Sequence, residues 1–64
     1  MSKLKEVRTA SGLSQSGLAE KSGVNVRMIQ QYEQGIRDIN KAQVETVYQL
    51  AEALSCKIED IIEK

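Results

Sequence analysis

Apolar residues along this chain recur at three- and four-residue intervals, and nowhere do they alternate with polar ones for the length of a strand. The pattern therefore predicts helices throughout. Leu4 and Val7 open a first helix over about residues 3–11, with Ser2 as its N-cap and Gly12 beyond its end. Ser14 caps a second helix, and Leu13 before the cap stands in hydrophobic-staple register with Leu18. Gly23 stops that helix, because glycine enters the left-handed conformation at little steric cost. Asn25 then caps a third helix, Val24 and Ile29 repeat the staple, and Gly35 ends it. So short a link from Gly23 to Asn25 makes the second and third helices cross sharply, which is helix-turn-helix geometry.

Asn40 followed by Gln43 reads as an Asx capping box at the start of a fourth helix, whose apolar face carries Val44, Val47, Tyr48, Ala51 and Leu54. Ile58, Ile61 and Ile62 mark a short fifth helix, and pattern alone does not divide Tyr48 and these isoleucines between a core and an interface. The expected fold is all-α, a compact five-helix domain with the helix-turn-helix at helices 2 and 3, occupying residues 1–64 as one unit.

The third helix carries the most specific pattern. At about 100° per residue, Ile29, Tyr32, Glu33 and Ile36 lie towards one side, while Arg27, Gln30, Gln31 and Gln34 share the other. Arginine can donate two hydrogen bonds to guanine O6 and N7, and glutamine can pair with adenine N6 and N7. A merely solvated face would more often mix Glu with Lys; this one holds amides and an arginine. Val26, in the first turn, can reach a thymine methyl or simply pack at the helix edge. Glu33 is the odd member of the inner side. A buried carboxylate is costly unless paired, and Arg8, beside Val7 on the first helix, is the expected partner.

Composition narrows the function classes. The chain has no histidine and one cysteine, Cys56, so no metal site, disulfide or cofactor is expected. There is no Gly-rich phosphate loop, and Glu59, Asp60 and Glu63 read as solvated charge, so no enzyme is expected either. A lone thiol fits a reduced, cytoplasmic setting. No apolar run approaches the ~20 residues of a membrane span, and the N-terminus has no signal-peptide pattern. Net charge is zero but unevenly placed. Residues 1–42 hold seven basic side chains against four acids, and residues 43–64 two against five, so one end suits phosphates and the other does not. Two tyrosines, with no Phe or Trp, fit base-stacking modules for single strands poorly.

The run Leu13-Ser14-Gln15-Ser16-Gly17-Leu18-Ala19-Glu20-Lys21-Ser22-Gly23-Val24, with Tyr32-Glu33-Gln34-Gly35, resembles the phage repressor and Cro-like helix-turn-helix family. Leu50-Ala51-Glu52-Ala53-Leu54 and Ile58-Glu59-Asp60-Ile61-Ile62 look like that family's fourth and fifth helices. The resemblance implies a lambda-repressor-like fold whose third helix lies in the major groove of double-stranded DNA, usually as a homodimer on a pseudo-palindromic operator. It implies that Val26, Arg27, Gln30 and Gln31 face bases, that Gln15 grips a phosphate and braces the start of the recognition helix, and that Gln34, Arg37 and Lys41 meet the backbone. Asn25, at the cap, joins the phosphate and positioning set. Arg8 and Glu33 match a pair that is often salt-bridged.

Three positions depart from the family pattern. Gly17 stands where an acid is usual, Ser55 replaces a glycine after helix 4, and Lys57 replaces a good N-cap before helix 5. With no separate oligomerisation domain expected, a dimer is expected to form through the five-helix domain itself. The expected function is a sequence-specific transcriptional regulator, a repressor. The alternatives are an antitoxin-like regulator with a protein partner, and an interaction module that has lost DNA binding, which the zero net charge keeps open.

Overall fold

The computed structural model describes residues 2–63, so Met1 and Lys64 of the expected domain lie outside the described residues. Among the described residues there is no strand, and the elements run α1 (Lys3–Ala10), α2 (Gln15–Ser22), α3 (Val26–Gln34), a 3-10 turn (Ile39–Lys41), α4 (Val44–Ala53) and a second 3-10 turn (Ile58–Asp60).

The first three helices begin where a side-chain oxygen meets orphan backbone N–H groups. Ser2 Oγ accepts from the Lys5 N–H at 3.1 Å, Ser14 Oγ from Gly17 at 2.9 Å, and Asn25 Oδ1 from Arg27 at 2.7 Å. Both staples are in place, with Leu18, Val24 and Ile29 buried and Leu13 half-buried. α2 packs on α3 and α4, and α1 packs on α3 and the second 3-10 turn. Leu4, Leu18, Ile29, Leu50 and Ile61, one from each region, fill the centre.

The C-terminal part differs from expectation in three ways. Asn40 does not cap α4. Asp38 Oδ1 accepts the Asn40 N–H at 2.9 Å, which turns the chain into the first 3-10 turn two residues early. The Asn40 side chain is instead spent on the far end of the chain, where its Oδ1 accepts from the Glu63 N–H at 2.7 Å and its Nδ2 donates to the Glu63 carbonyl. α4 starts from Gln43, which makes no side-chain cap bond.

The fifth helix is a single 3-10 turn. Lys57 offers no capping oxygen, and only its backbone N–H is held, by Asp60 Oδ2 at 3.0 Å. The count is thus four α-helices and two 3-10 turns rather than five helices. The apolar face of α4 is also rotated. Val47, Leu50, Ala51 and Leu54 are buried, leaving Val44 and Tyr48 at its edge, 77% and 53% exposed. Ile61 belongs to the core, whereas Ile58 and Ile62 are half-buried.

Glu63 does more than carry solvated charge. Its carboxylate accepts the Lys3 N–H at 2.7 Å, so the first turn of α1, the first 3-10 turn and the C-terminal segment are joined at one residue. No described helix is long and apolar enough to cross a membrane.

Candidate nucleic-acid interface

The turn between α2 and α3 sets the direction of the outer helix. Gly23 sits at φ 79°, in the left-handed region where a Cβ would be strained, and its N–H closes α2 on the Ala19 carbonyl at 2.9 Å. Ser22 Oγ then accepts the Val24 N–H at 3.1 Å, and Val24 turns into the core. α3 leaves this turn with Ile29 and Tyr32 buried on its inner side. Arg27 and Gln34 are exposed, and Val26, Gln30 and Gln31 are half-buried. Met28 packs partly against the core. Ile36, expected on the inner side, is 71% exposed, because the left-handed Gly35 ends the helix before it and breaks the angular register.

Behind this face lies a polar knot. Arg8 Nε donates to Glu33 Oε2 at 2.7 Å and Arg8 Nη2 to Glu33 Oε1 at 3.0 Å, a two-bond clasp between α1 and α3. The two side chains are 12% and 3% exposed, so the pair works largely out of water. Arg8 Nη1 also donates to the Leu13 carbonyl at 2.9 Å, which ties in the α1–α2 loop. The hydrogen bonding to Glu33, with its opposite charge, raises the Arg8 pKa against the opposing effect of burial.

Gln15, first residue of α2, donates through Nε2 to Glu33 Oε1 at 3.0 Å. It therefore braces α3 at its penultimate residue rather than at its start. A carboxylate has acceptor capacity left after a two-bond arginine clasp, and the glutamine amide fills it. Nothing in the sequence beyond the shared neighbourhood of Arg8 and Glu33 signals that bond.

The other residues expected to position DNA lie at the two ends of α3 and on the turn that follows it. Asn25 commits its oxygen to the cap of α3. Arg37 is exposed beyond the C-terminal end, and its Nε donates to Gln31 Oε1 at 3.0 Å, a contact absent from the sequence reading. Lys41 is exposed at the end of the first 3-10 turn. Arg27, Arg37 and Lys41 all come from residues 1–42, the part of the chain with the basic excess.

A helix pair joined by a left-handed glycine turn, with the second helix showing an arginine and amides outward, defines a DNA-binding helix-turn-helix protein. The helix-turn-helix family model matches residues 4–61, and the chain belongs to that family, in its phage repressor and Cro-like branch. The crystal structure of the restriction-modification controller protein C.AhdI from Aeromonas hydrophila is similar, with a TM-score of 0.80 and 34% sequence identity. The match covers 91% of this chain and 83% of that one. No curated protein matches at the level of sequence. The protein is thus a DNA-binding transcription regulator, and its family and fold are those of regulators rather than enzymes.

Proposed function

We propose that the protein is a sequence-specific repressor that binds double-stranded DNA as a homodimer on a pseudo-palindromic operator. The observation that carries this reading is the outer face of α3, where Arg27 is exposed and Val26, Gln30 and Gln31 are half-buried, on a helix fixed from behind by Arg8 and Glu33. These four read base edges. Gln15, Asn25, Gln34, Arg37 and Lys41 surround them and hold phosphates. Gln15 and Asn25 each have amide hydrogens to give beyond the bonds already described.

Operators of this kind place half-sites about one helical turn, ~34 Å, apart. The domain spans 23 Å along its longest Cα axis, and side chains add about 3–4 Å on each side of a helix. Two domains at that spacing therefore come within a few ångströms of each other, and a small tilt brings their facing edges together. Exposed Val44 and Tyr48 on α4, beside half-buried Ile58 and Ile62, supply the apolar contact with a second copy. Repression needs only occupancy of the promoter, with no further contact surface. The likeness to C.AhdI supports a restriction-modification locus as the first genetic setting to examine.

Selection of bound sequences from a randomised duplex pool at near-physiological salt tests this. A two-fold symmetric site with half-sites one helical turn apart is the expected result. No enrichment by folded protein would overturn the reading and move the search to protein partners. Arg27→Ala is expected to lose discrimination at one base pair, worth about 1–3 kcal/mol. Lys41→Ala should weaken every sequence alike and reduce the salt slope by about 1.

A further inference from the structure

α3 ends in a turn that brings four donors of the following residues onto Gln31, the first of them the Gly35 N–H. With Gly35 at φ 79°, the chain folds back so that the Ile36 and Arg37 N–H groups reach the Gln31 carbonyl at 3.0 and 3.2 Å. The backbone of Arg37 is thus placed against Gln31 before its side chain is considered. That side chain then donates from Nε to Gln31 Oε1 at 3.0 Å. The guanidinium has only donors, so the amide atom facing it has to be the oxygen, and the amino group is turned the other way.

We propose that Arg37 is a specificity-determining residue: by holding the Gln31 oxygen on its own side it turns the Gln31 amino group, rather than the oxygen, towards the DNA. The inference rests on α3 lying in the major groove as proposed above. A free glutamine pairs with adenine by accepting from N6 and donating to N7, which needs both amide atoms at the base. With its oxygen turned towards Arg37, Gln31 instead matches edges that accept. Guanine presents O6 and N7, and thymine presents O4. Adenine offers only N7 to those donors, and its N6 donor then finds no acceptor on Gln31. The terminal Nη groups of Arg37 remain free for a phosphate, and a phosphate drawn to them would keep Nε on Gln31, so backbone grip and base choice support each other.

The test is selection from a randomised duplex pool with the full chain, its Gln31→Ala, Arg37→Ala and Arg37→Met variants, and the Gln31→Ala/Arg37→Ala double variant. Each is checked by thermal melting first. Gln31→Ala identifies the base pair that Gln31 reads, as the position whose preference disappears. At that position the unmodified protein should select guanine or thymine. Both Arg37 variants should raise the ratio of adenine to these bases there by about tenfold, which corresponds to ~1.4 kcal/mol. The double variant should show no such rise.

A general loss of affinity moves no ratio, so a purely phosphate-binding Arg37 gives a different result. Adenine already preferred by the unmodified protein would overturn the inference. So would an unchanged ratio in both Arg37 variants, or a Gln31→Ala variant that alters no position. Failure of the unmodified protein to enrich any site would instead overturn the operator-binding reading beneath it, and this inference with it.

Discussion

Asn25 heads α3 with its side-chain oxygen 2.7 Å from the Arg27 N–H, whereas Gln43 heads α4 with no side-chain bond at all. The contrast holds across the two regions. In residues 2–37 each helix is capped by a Ser or Asn oxygen, and α1, α2 and α3 converge on the Glu33 carboxylate. In residues 38–63 the helix is held by burial, with Val47, Leu50, Ala51, Ala53, Leu54 and Ile61 in the core. Apolar contact is non-directional and grows with the area removed from water, whereas a hydrogen bond weakens steeply with angle. The region proposed to present side chains to base edges adds the directional kind to its buried residues Leu4, Leu18, Val24, Ile29 and Tyr32. α4, which supplies bulk and an outer apolar edge, relies on the other, and the directional bonds of Asp38, Asn40, Asp60 and Glu63 lie outside that helix.

The sharpest way to break that contrast is at the clasp. Arg8→Met leaves Glu33 charged, largely buried and short of two donors, with the Leu13 carbonyl unpaired as well. Breaking one side of a buried pair costs about 3–5 kcal/mol, a large fraction of the stability of so small a domain. Arg8→Met with Glu33→Leu should recover most of that loss, since two apolar side chains of similar size leave no buried charge. Denaturant melts of the two variants decide the matter. A double variant no more stable than Arg8→Met would show that α3 is not held by this pair.

At the helix starts the same comparison predicts opposite signs. Asn25→Ala removes a working cap and should cost about 1 kcal/mol. Gln43→Ala removes nothing at the cap and should change stability little, whereas Gln43→Asp supplies an oxygen to α4 and should gain about 1 kcal/mol. Equal losses from the two alanine variants would mean that the caps do not distinguish the regions.

What was legible in the sequence follows the same division. Ser2, Ser14, Asn25 and the glycines after the first three helices act within a few residues of themselves, so local pattern exposes them. Glu33 was legible because a carboxylate on an apolar side demands a cation and Arg8 stood on the facing helix. Asn40 misled because Asp38, two residues earlier, competes for the same backbone and takes the Asn40 N–H itself. The exposure of Val44 and Tyr48 depends on how far α4 is rotated about its axis, which burial of Leu50 and Leu54 settles and periodicity does not. The bonds from Gln15 to Glu33 and from Arg37 to Gln31 span 18 and 6 residues and depend on side-chain rotamers. No short-range rule reaches them.

The ends of α3 and α4 allow a finer comparison, because they make one turn with different residues. After α3, Gly35 at φ 79° lets the Ile36 N–H reach the Gln31 carbonyl at 3.0 Å. After α4, Ser55 at φ 55° lets the Cys56 N–H reach the Ala51 carbonyl, also at 3.0 Å. A side chain in the left-handed region carries a Cβ clash that glycine avoids. Ser55→Gly should therefore gain about 0.5–1 kcal/mol, and Gly35→Ser should lose a similar amount. Thermal melts measure both. A destabilising Ser55→Gly would show that its side chain contributes more to the turn than its backbone strain removes.

The smallest expected effect reports on how tightly that C-terminal turn stays closed. Cys56 is half-buried between α4 and the second 3-10 turn, and burial raises its thiol pKa, with the Asp60 carboxylate adding to the shift. A thiol that keeps its proton longer in the folded state than in the unfolded one favours folding fully below the ordinary thiol pKa of about 8.5. That contribution is lost as pH rises through the folded value. Stability of the unmodified protein should thus fall more steeply above about pH 9 than that of Cys56→Ala. Because the thiolate is the nucleophile, alkylation at pH 8 should also be slower than in the denatured chain, and Asp60→Asn should speed it. Asp60 accepts the Lys57 N–H as well, a bond that the amide oxygen of Asn can still accept, so the substitution removes the charge and leaves the turn an acceptor. Native Cys56 reacting as fast as the denatured thiol would mean that the turn opens freely, and that burial holds the C-terminal region only as far as Leu54.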